Sequence, residues 1–285
     1  MSSARGVRVC ITPRRLVAGL LFLIGCQPAS TPVTPMPTPA PAPGPPPQAA
    51  PRIQPAPGIG DGRALLTAMH DRYPAWYRTV TFVQTTTIYR PNAELHQTWY
   101  EMAALPGRLR IDTDLASRSG ELFANDSIYG AVNGTVTRAS AGLNDLLVLG
   151  FDVYTQPPAR TADQLRKQGF DLTKLREDTL NGKRVFVVGA NAGDTTSKQF
   201  WVDANDLLFV RSIAAGARGR TDVRFQRYER VKGGWIATEV LQLLNGRPAL
   251  REQYANVQVD VKLDDAYFDP KQWATVRPGL LYGKP

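Results

Sequence analysis

The chain has 285 residues, 43% of them hydrophobic, which is enough for one large domain or two small ones with a real core. Its formal net charge is +9, and the four arginines before residue 26 account for four of these charges. The mildly basic remainder fits anionic headgroups or acidic envelope polymers and does not indicate nucleic acid. The two cysteines, Cys10 and Cys26, have no Cys/His spacing of a metal site, so we expect no metal and no cofactor.

Residues 1–25 have the pattern of a secretory signal, with a basic start followed by an apolar run over residues 16–25. A helix of ten residues spans ~15 Å, which is too short to cross a membrane. Leu23-Ile24-Gly25-Cys26 resembles the lipobox of bacterial lipoproteins. The resemblance implies that residues 1–25 are removed and that Cys26 is acylated, with palmitate as an expected chain. The alternative is an ordinary signal peptide with a chance cysteine.

Gln27 follows the cysteine, and by the same resemblance it favours the outer membrane, while inner-membrane retention stays open. Residues 26–58 hold 13 of the 23 prolines and one charged residue, Arg52. Such a segment favours extended polyproline II and forms no core. We therefore expect a lipid-anchored protein of the cell envelope, with a periplasm-facing domain at residues 59–285 held on a tether.

The domain begins with a helical pattern at residue 62 that Pro74 ends. A second helical patch covers residues 143–169, with a short helix around Leu146 and a capping-box pattern at Thr161 opening another helix, which Gly169 ends. The remaining regular segments are rich in β-branched and aromatic residues and predict strands. They are Thr79–Tyr89, Leu95–Ala104, Arg108–Thr113, Glu121–Ala124, Ser127–Val132, Thr135–Arg138, Lys174–Leu180, Lys183–Gly189, Ser197–Asp203, Leu207–Ile213, Asp222–Val231, Trp235–Leu244 and Ala249–Val261.

Tight turns join many of these strands, for example Asn181-Gly182 and Asn245-Gly246. Consecutive hairpins predict an antiparallel sheet, because a parallel one needs long crossovers. A twisted sheet of roughly ten strands tends to curl. The predicted fold class is mainly β (α+β), a strongly curved, partly closed antiparallel half-barrel with helices covering its open side.

The order of these elements resembles the LolA/LolB-like superfamily, which includes the outer membrane lipoprotein-sorting proteins. The resemblance covers about residues 62–280 and depends on several segments. These are Phe82 in the first hairpin, the turn Leu105-Pro106-Gly107, the segments 123–129, 200–207 and 228–231, and Tyr267-Phe268-Asp269-Pro270. It implies an apolar cavity for acyl chains of a lipid or an acylated protein. The sorting carrier has Arg where Leu105 stands, so a membrane-fixed receptor is favoured over a shuttle.

Ten apolar residues are the candidates for lining this cavity, each with an ordinary core role as its alternative. They are Phe82, Trp99, Leu109, Ile111, Leu146, Leu147, Phe151, Phe200, Val210 and Phe225. The helical patch at residues 143–169 is the candidate lid. A basic run supplies candidates for an anionic-headgroup patch, Arg224, Arg227 and Arg230, and strand alternation places Arg224, Tyr228 and Arg230 opposite Phe225 and Arg227. The alternative there is a solvated outer face.

No nucleophile elbow, phosphate loop or zinc-protease motif occurs, and His70 and His96 are isolated, so we expect no enzyme. Asp203, Asn205 and Asp206 lack the spacing of a calcium loop and predict a hairpin turn. The leading hypothesis is a lipid- or lipoprotein-binding domain of carrier or receptor type. The alternative is a non-catalytic interaction or envelope-stress sensor module of the same fold, with an envelope protein as its partner.

Overall fold

The computed structural model describes residues 58–282, without the side chain of Leu280. The predicted leader, the acylation of Cys26 and nearly all of the tether lie outside the described residues. Thirteen strands form, one for each predicted run. They are β1 Thr79–Arg90, β2 Ala93–Ala104, β3 Arg108–Asp114, β4 Ser119–Ala124, β5 Ser127–Val132, β6 Thr135–Ala141, β7 Leu175–Leu180, β8 Lys183–Val188, β9 Gln199–Asp203, β10 Phe209–Gly216, β11 Gly219–Val231, β12 Gly234–Leu244 and β13 Arg247–Val259.

All thirteen strands belong to one antiparallel sheet with the order β6-β5-β4-β3-β2-β1-β13-β12-β11-β10-β9-β8-β7. Neighbouring strands are consecutive in the chain everywhere except at the centre, where β1 pairs with β13 from Val80–Val259 to Ile88–Leu250. The predicted mainly β, curved antiparallel half-barrel is confirmed. The sheet is open, because β6 and β7 do not pair with each other.

Asparagine–glycine turns fix the register of two hairpins as predicted. Asn181 and Gly182 have φ values of 51° and 78°, and Asn245 and Gly246 have 52° and 80°. Positive φ at both central residues is the requirement of the type I′ turn, whose twist matches that of the strands. These turns hold β7 to β8 and β12 to β13.

Three α-helices cover one side of the sheet: α1 Gly62–Arg72, α2 Asp145–Gly150 and α3 Pro158–Lys167. Helix α1 begins after Asp61, whose carboxylate accepts a hydrogen bond from the Ala64 N–H at 2.8 Å. The prediction that Thr161 caps α3 is wrong. The helix starts earlier because proline suits a first helical turn, and Thr161 lies inside it, fully buried.

The main core lies between the helices and the face of the sheet that we call the inner face. Alternate residues of each strand lie on opposite faces, so Leu109 belongs to the main core while Arg110 lies on the outer face. On the outer face a second apolar cluster, with Met102, Leu122 and Trp273 at its centre, packs β2–β5 against the segment that follows β13. A third, smaller outer cluster surrounds Trp201.

Comparing two glycines of equal φ distinguishes the cost of a strained backbone from the cost of a steric clash. Gly233 and Gly246 both have φ near +80°, but a Cβ on Gly233 would lie 2.0 Å from the carbonyl oxygen of Ala75, whereas one on Gly246 would meet nothing within 4 Å. We expect Gly246→Ala to lower the free energy of unfolding by about 1 kcal/mol and Gly233→Ala by about 3 kcal/mol or more. Urea unfolding of both variants measures the difference, and equal losses would contradict the described packing.

Candidate functional site

The inner face collects most of the residues predicted to line a cavity. Phe82, Leu109, Leu147, Phe200 and Phe225 are buried in the main core. The side chains of Ile111, Leu146 and Phe151 are partly buried and pack against it. The other two lie elsewhere: Val210 packs in the outer cluster around Trp201, and Trp99 is half-buried outside the apolar clusters, with its indole N–H donating to Gln97 at 3.0 Å.

The helical patch predicted as a lid covers this face. We call residues 143–169 the cover; it contains α2, a 3-10 turn at Asp152–Tyr154, and α3. Its apolar side chains complete the main core from the side opposite to the sheet. They are Leu147, Val148, Leu149, Val153, Ala162 and Leu165. Because these residues belong to one continuous segment, a single movement of that segment would uncover much of the inner face.

Polar contacts attach the middle of the cover to the sheet. The Asp152 carboxylate accepts a hydrogen bond from the Gly107 N–H at 2.9 Å. The Tyr154 hydroxyl accepts one from the Phe209 N–H at 3.0 Å and donates to the Leu207 carbonyl at 3.3 Å. Two further contacts are Arg78 to the Thr155 carbonyl at 2.7 Å and Lys198 to Asp145 at 2.5 Å.

The Asp152 side chain, which accepts the hydrogen bond from Gly107, is buried. Burial raises the pKa of its carboxyl to about 7, while the hydrogen bond from Gly107 and the charge of Arg160 act in the opposite direction. One carboxylate oxygen, Oδ2, has no hydrogen-bond partner among the described residues. A buried carboxylate that is only partly satisfied makes the closed cover less favourable whenever Asp152 is ionised.

The interior beneath the cover is filled by side chains. A cavity lies between the cover and the β4–β5 turn, lined among others by Phe123, Asp126, Leu147 and Asp152, but its volume is only about 10 Å³. One water molecule needs ~10–15 Å³ of such space. The described conformation is therefore closed, and an acyl chain could enter this site only if the cover moved.

Two carboxyl groups on the inner face were not singled out from the sequence. Glu101 of β2 is paired with Phe82, and Glu252 of β13 is paired with Thr86, so the two acids flank β1. Burial raises the pKa of Glu252 to about 7 and that of Glu101 well above its usual range, to which the charge of Glu252 adds. The Tyr254 hydroxyl donates to Glu252 at 2.6 Å. In the sequence, the residue alternation along β2 indicates this site, because it places Glu101 on the same face as Trp99.

The three arginines predicted to form an anionic patch each contact a different residue. Arg224 pairs with the buried Asp222 at 3.0 Å, Arg227 lies 3.5 Å from Glu239, and Arg230 lies over the Trp235 ring. The predicted face pattern of β11 is wrong. Tyr228 packs against the main core, as Phe225 does, because Arg227 has a φ of 53° that breaks the alternation.

The remaining polar candidates have local contacts. Asp203 accepts hydrogen bonds from the N–H groups of Asn205 and Asp206, each at 2.9 Å, which confirms the predicted hairpin turn. His70 contacts Asp71, and His96 contacts Thr87 on the neighbouring strand. Within residues 58–282, no group of three or more metal-ligating side chains comes together. In the same range, no helix has the length and apolar character needed to span a membrane.

Comparison with solved structures identifies the architecture. The chain is similar to a DUF1329 family protein from Desulfovibrio piger, with a TM-score of 0.52 and 16% identity over 73% of this chain and 95% of that one. It is also similar to a domain named for outer membrane lipoprotein sorting, from Vibrio parahaemolyticus, with a TM-score of 0.51 and 11% identity over 75% of this chain and 98% of that one. The described domain has a LolA/LolB-like fold.

Comparison with protein-family models gives no match. Comparison with curated proteins finds no significant relative. The likeness to the two solved structures therefore concerns the fold. Within this LolA/LolB-like fold, the inner face and its cover form the candidate site, and the acids Glu101 and Glu252 lie on that face, on β2 and β13, the two strands that flank β1.

The raised pKa values predict that the domain loses stability as the pH rises. In the unfolded chain Glu titrates near 4.3, so between this value and about 7 the folded state binds more protons at Glu252. Stability from this group is complete below the unfolded pKa and is lost as the pH rises through the folded pKa. We expect Glu252→Gln to raise the free energy of unfolding at pH 8 by about 2 kcal/mol and at pH 4 by much less.

Urea unfolding at several pH values measures this effect. The exposed Glu229 of β11 supplies the matched control, because Glu229→Gln removes a carboxylate that is open to solvent. A gain that is the same at pH 4 and pH 8, or a loss at pH 8, would contradict the burial of Glu252.

Proposed function

We propose that this domain binds acyl chains of lipids or lipoproteins between the inner face of its sheet and the cover, without catalysis. In this proposal the protein is a receptor-type lipoprotein of the cell envelope. Cys26 carries the lipid anchor, the outer membrane holds it, and the domain faces the periplasm.

The observation that carries the proposal is the continuity of the apolar inner face under a single segment. Phe82 and Leu109 come from one half of the sheet, and Phe200 and Phe225 come from the other half, yet all four belong to one buried cluster. The cover alone supplies much of the opposing surface. If it is displaced, an acyl chain can contact both halves of the sheet at once.

A bound acyl chain would replace apolar contacts that the cover makes with the inner face. Each buried methylene contributes about 0.8 kcal/mol, so a 16-carbon chain contributes ~12 kcal/mol before ordering costs. Opening the cover exposes its own apolar side chains and breaks the contacts of Asp152 and Tyr154 with the sheet. A bound chain would offset part of this loss, because the chain would occupy the apolar surface that the cover vacates.

The turn at Leu105 supports a receptor rather than a shuttle. Leu105 is buried in the main core, where the sorting carriers have an arginine, so the charge tied to their ligand handling has no counterpart here. The solved domain named for outer membrane lipoprotein sorting supports a ligand of the acylated class. A covalent anchor on Cys26 would keep such a protein at one membrane.

The direct test is native mass spectrometry of residues 59–285 after expression in a bacterial periplasm, followed by extraction of bound lipid. The main core lies within this range. A bound phospholipid or acylated species at about one per chain, released by denaturation, is the expected result. A ligand-free mass that also takes up no added palmitate would overturn the proposal.

Loosening the cover should speed ligand entry. Tyr154→Phe removes the hydroxyl that contacts Phe209 and Leu207 but keeps the ring that stacks on Trp76 at 3.9 Å between centroids. We expect uptake of a fluorescent fatty acid to be several-fold faster, since one buried hydrogen bond contributes about 1 kcal/mol. Tyr129→Phe, on the outer face, is the control and should leave the rate unchanged. Equal rates for both variants would exclude the cover as the gate.

The filled interior favours a second candidate, an interaction module of the same fold. A cavity of about 10 Å³ beneath the cover is what a domain that binds a protein partner through its surface would show. Anionic-headgroup binding by Arg224, Arg227 and Arg230 remains a separate prediction, although two of them already contact carboxylates. Co-purification of an envelope protein with a lipid-free domain would support the second candidate over the first.

A further inference from the structure

A second cavity lies on the outer face, away from the cover. It has a volume of about 200 Å³, far more than the ~10–15 Å³ that one water needs. It lies between β3, the β3–β4 turn and the chain after β13. The lining residues are Arg110, Asp112, Leu115, Arg118, Val276, Arg277, Pro278 and Gly279.

Arg110 forms the wall on β3. Its side chain is 1% exposed and is fixed on three sides: it pairs with Asp112 at 2.9 Å, lies 3.8 Å from the Trp273 ring centroid, and donates to the Tyr267 carbonyl at 3.2 Å. A guanidinium has five N–H donors, and these bonds do not use all of them. Burial raises the pKa of Asp112, while the neighbouring Arg110 lowers it.

Arg118 and Arg277 bring two more guanidinium groups to the same place. Both donate from Nη1 to the carbonyl oxygen of Ala274, at 2.8 and 3.0 Å, so these two nitrogens lie within about 6 Å of each other. Neither side chain pairs with a carboxylate among the described residues. Two like charges held this close repel each other, and an anion between them would remove that repulsion.

The charges of the lining residues select the class of ligand. Three arginines and one aspartate give a formal excess of two positive charges. Inorganic phosphate or a phosphomonoester carries about two negative charges at neutral pH and accepts several hydrogen bonds, which guanidinium groups donate in a matching planar geometry. A single carboxylate would neutralise only half of this excess. Leu115, Val276 and Pro278 add an apolar wall beside the charges.

We propose that the outer-face cavity bounded by Arg110, Arg118 and Arg277 is a binding site for a phosphate dianion, either free or as the phosphomonoester headgroup of a lipid. The site does not depend on the cover or the inner face, because Arg110 and the main-core residue Leu109 lie on opposite faces of the sheet. Failure of the acyl-chain proposal would therefore leave this site intact, and failure of this site would leave that proposal intact.

The test is calorimetric titration of the full chain, in a non-ionic detergent, with inorganic phosphate and with glycerol 3-phosphate. We expect saturable binding that weakens several-fold when the salt concentration is raised. The double variant Arg118→Gln/Arg277→Gln should bind at least about 10-fold more weakly, because two of the three cations are lost. Arg247→Gln, at an exposed position at the start of β13, is the matched control and should bind like the unaltered chain.

The two probes distinguish the sources of phosphate. Binding of glycerol 3-phosphate about 10-fold tighter than inorganic phosphate would assign the site to a lipid headgroup, and equal or weaker binding would assign it to free phosphate. Glycerophosphocholine, which has no net charge, should bind much more weakly than either. Equal binding of all three, or no binding of either phosphate probe by the unaltered chain at millimolar concentration, would overturn the proposal.

A charge-preserving variant separates the role of charge from folding. Arg118→Lys/Arg277→Lys keeps both cations, so it should retain binding that the glutamine variant loses, although lysine cannot make the bidentate contacts of arginine. Unfolding curves of the glutamine variant show whether it is folded. Phosphate affinity that stays unchanged in a folded glutamine variant would place the binding elsewhere and refute the site.

Discussion

The pairing of β1 with β13 is the constraint on which the rest of the structure depends. Strands β2–β6 continue from one side of β1, and strands β12–β7 continue from the far side of β13, so without this pair the chain would form two separate meanders. Antiparallel pairing along most of both strands makes them one surface. The inner face therefore has residues from both ends of the domain in contact, which is why Phe82 stacks on Tyr254 at 4.2 Å between ring centroids.

Local chemistry made much of this fold predictable from the sequence. The turns at Asn181-Gly182 and Asn245-Gly246 require positive φ at two consecutive residues, and few other pairs adopt it readily, so the hairpins are specified within a few residues. The wrong start predicted for α3 also comes from relying on local sequence patterns. Thr161 has the sequence neighbours of a cap, but the prolines before it start the helix one turn earlier.

The sites were less predictable, because they depend on contacts between distant parts of the chain. Glu101 and Glu252 become neighbours only through β1, and Arg118 meets Arg277 only because the chain after β13 returns across the β3–β4 turn. No local sequence pattern indicates contacts between residues that are so far apart in the chain. Eight of the ten residues proposed for the cavity do lie in or against the main core, because strand alternation identifies which residues share an apolar face. Alternation does not indicate whether the space in front of that face is empty or filled by side chains.

The segment after β13 has a consequence for chains that end early. It packs on the outer face, with Phe268, Trp273 and Tyr282 covering Met102 and Leu122 of the second cluster. A protein shortened after Val259 keeps all thirteen strands but leaves this apolar surface exposed to water. Exposed patches of that kind bind one another. Residues 260–282 thus keep separate copies of a completed sheet from associating through their outer faces.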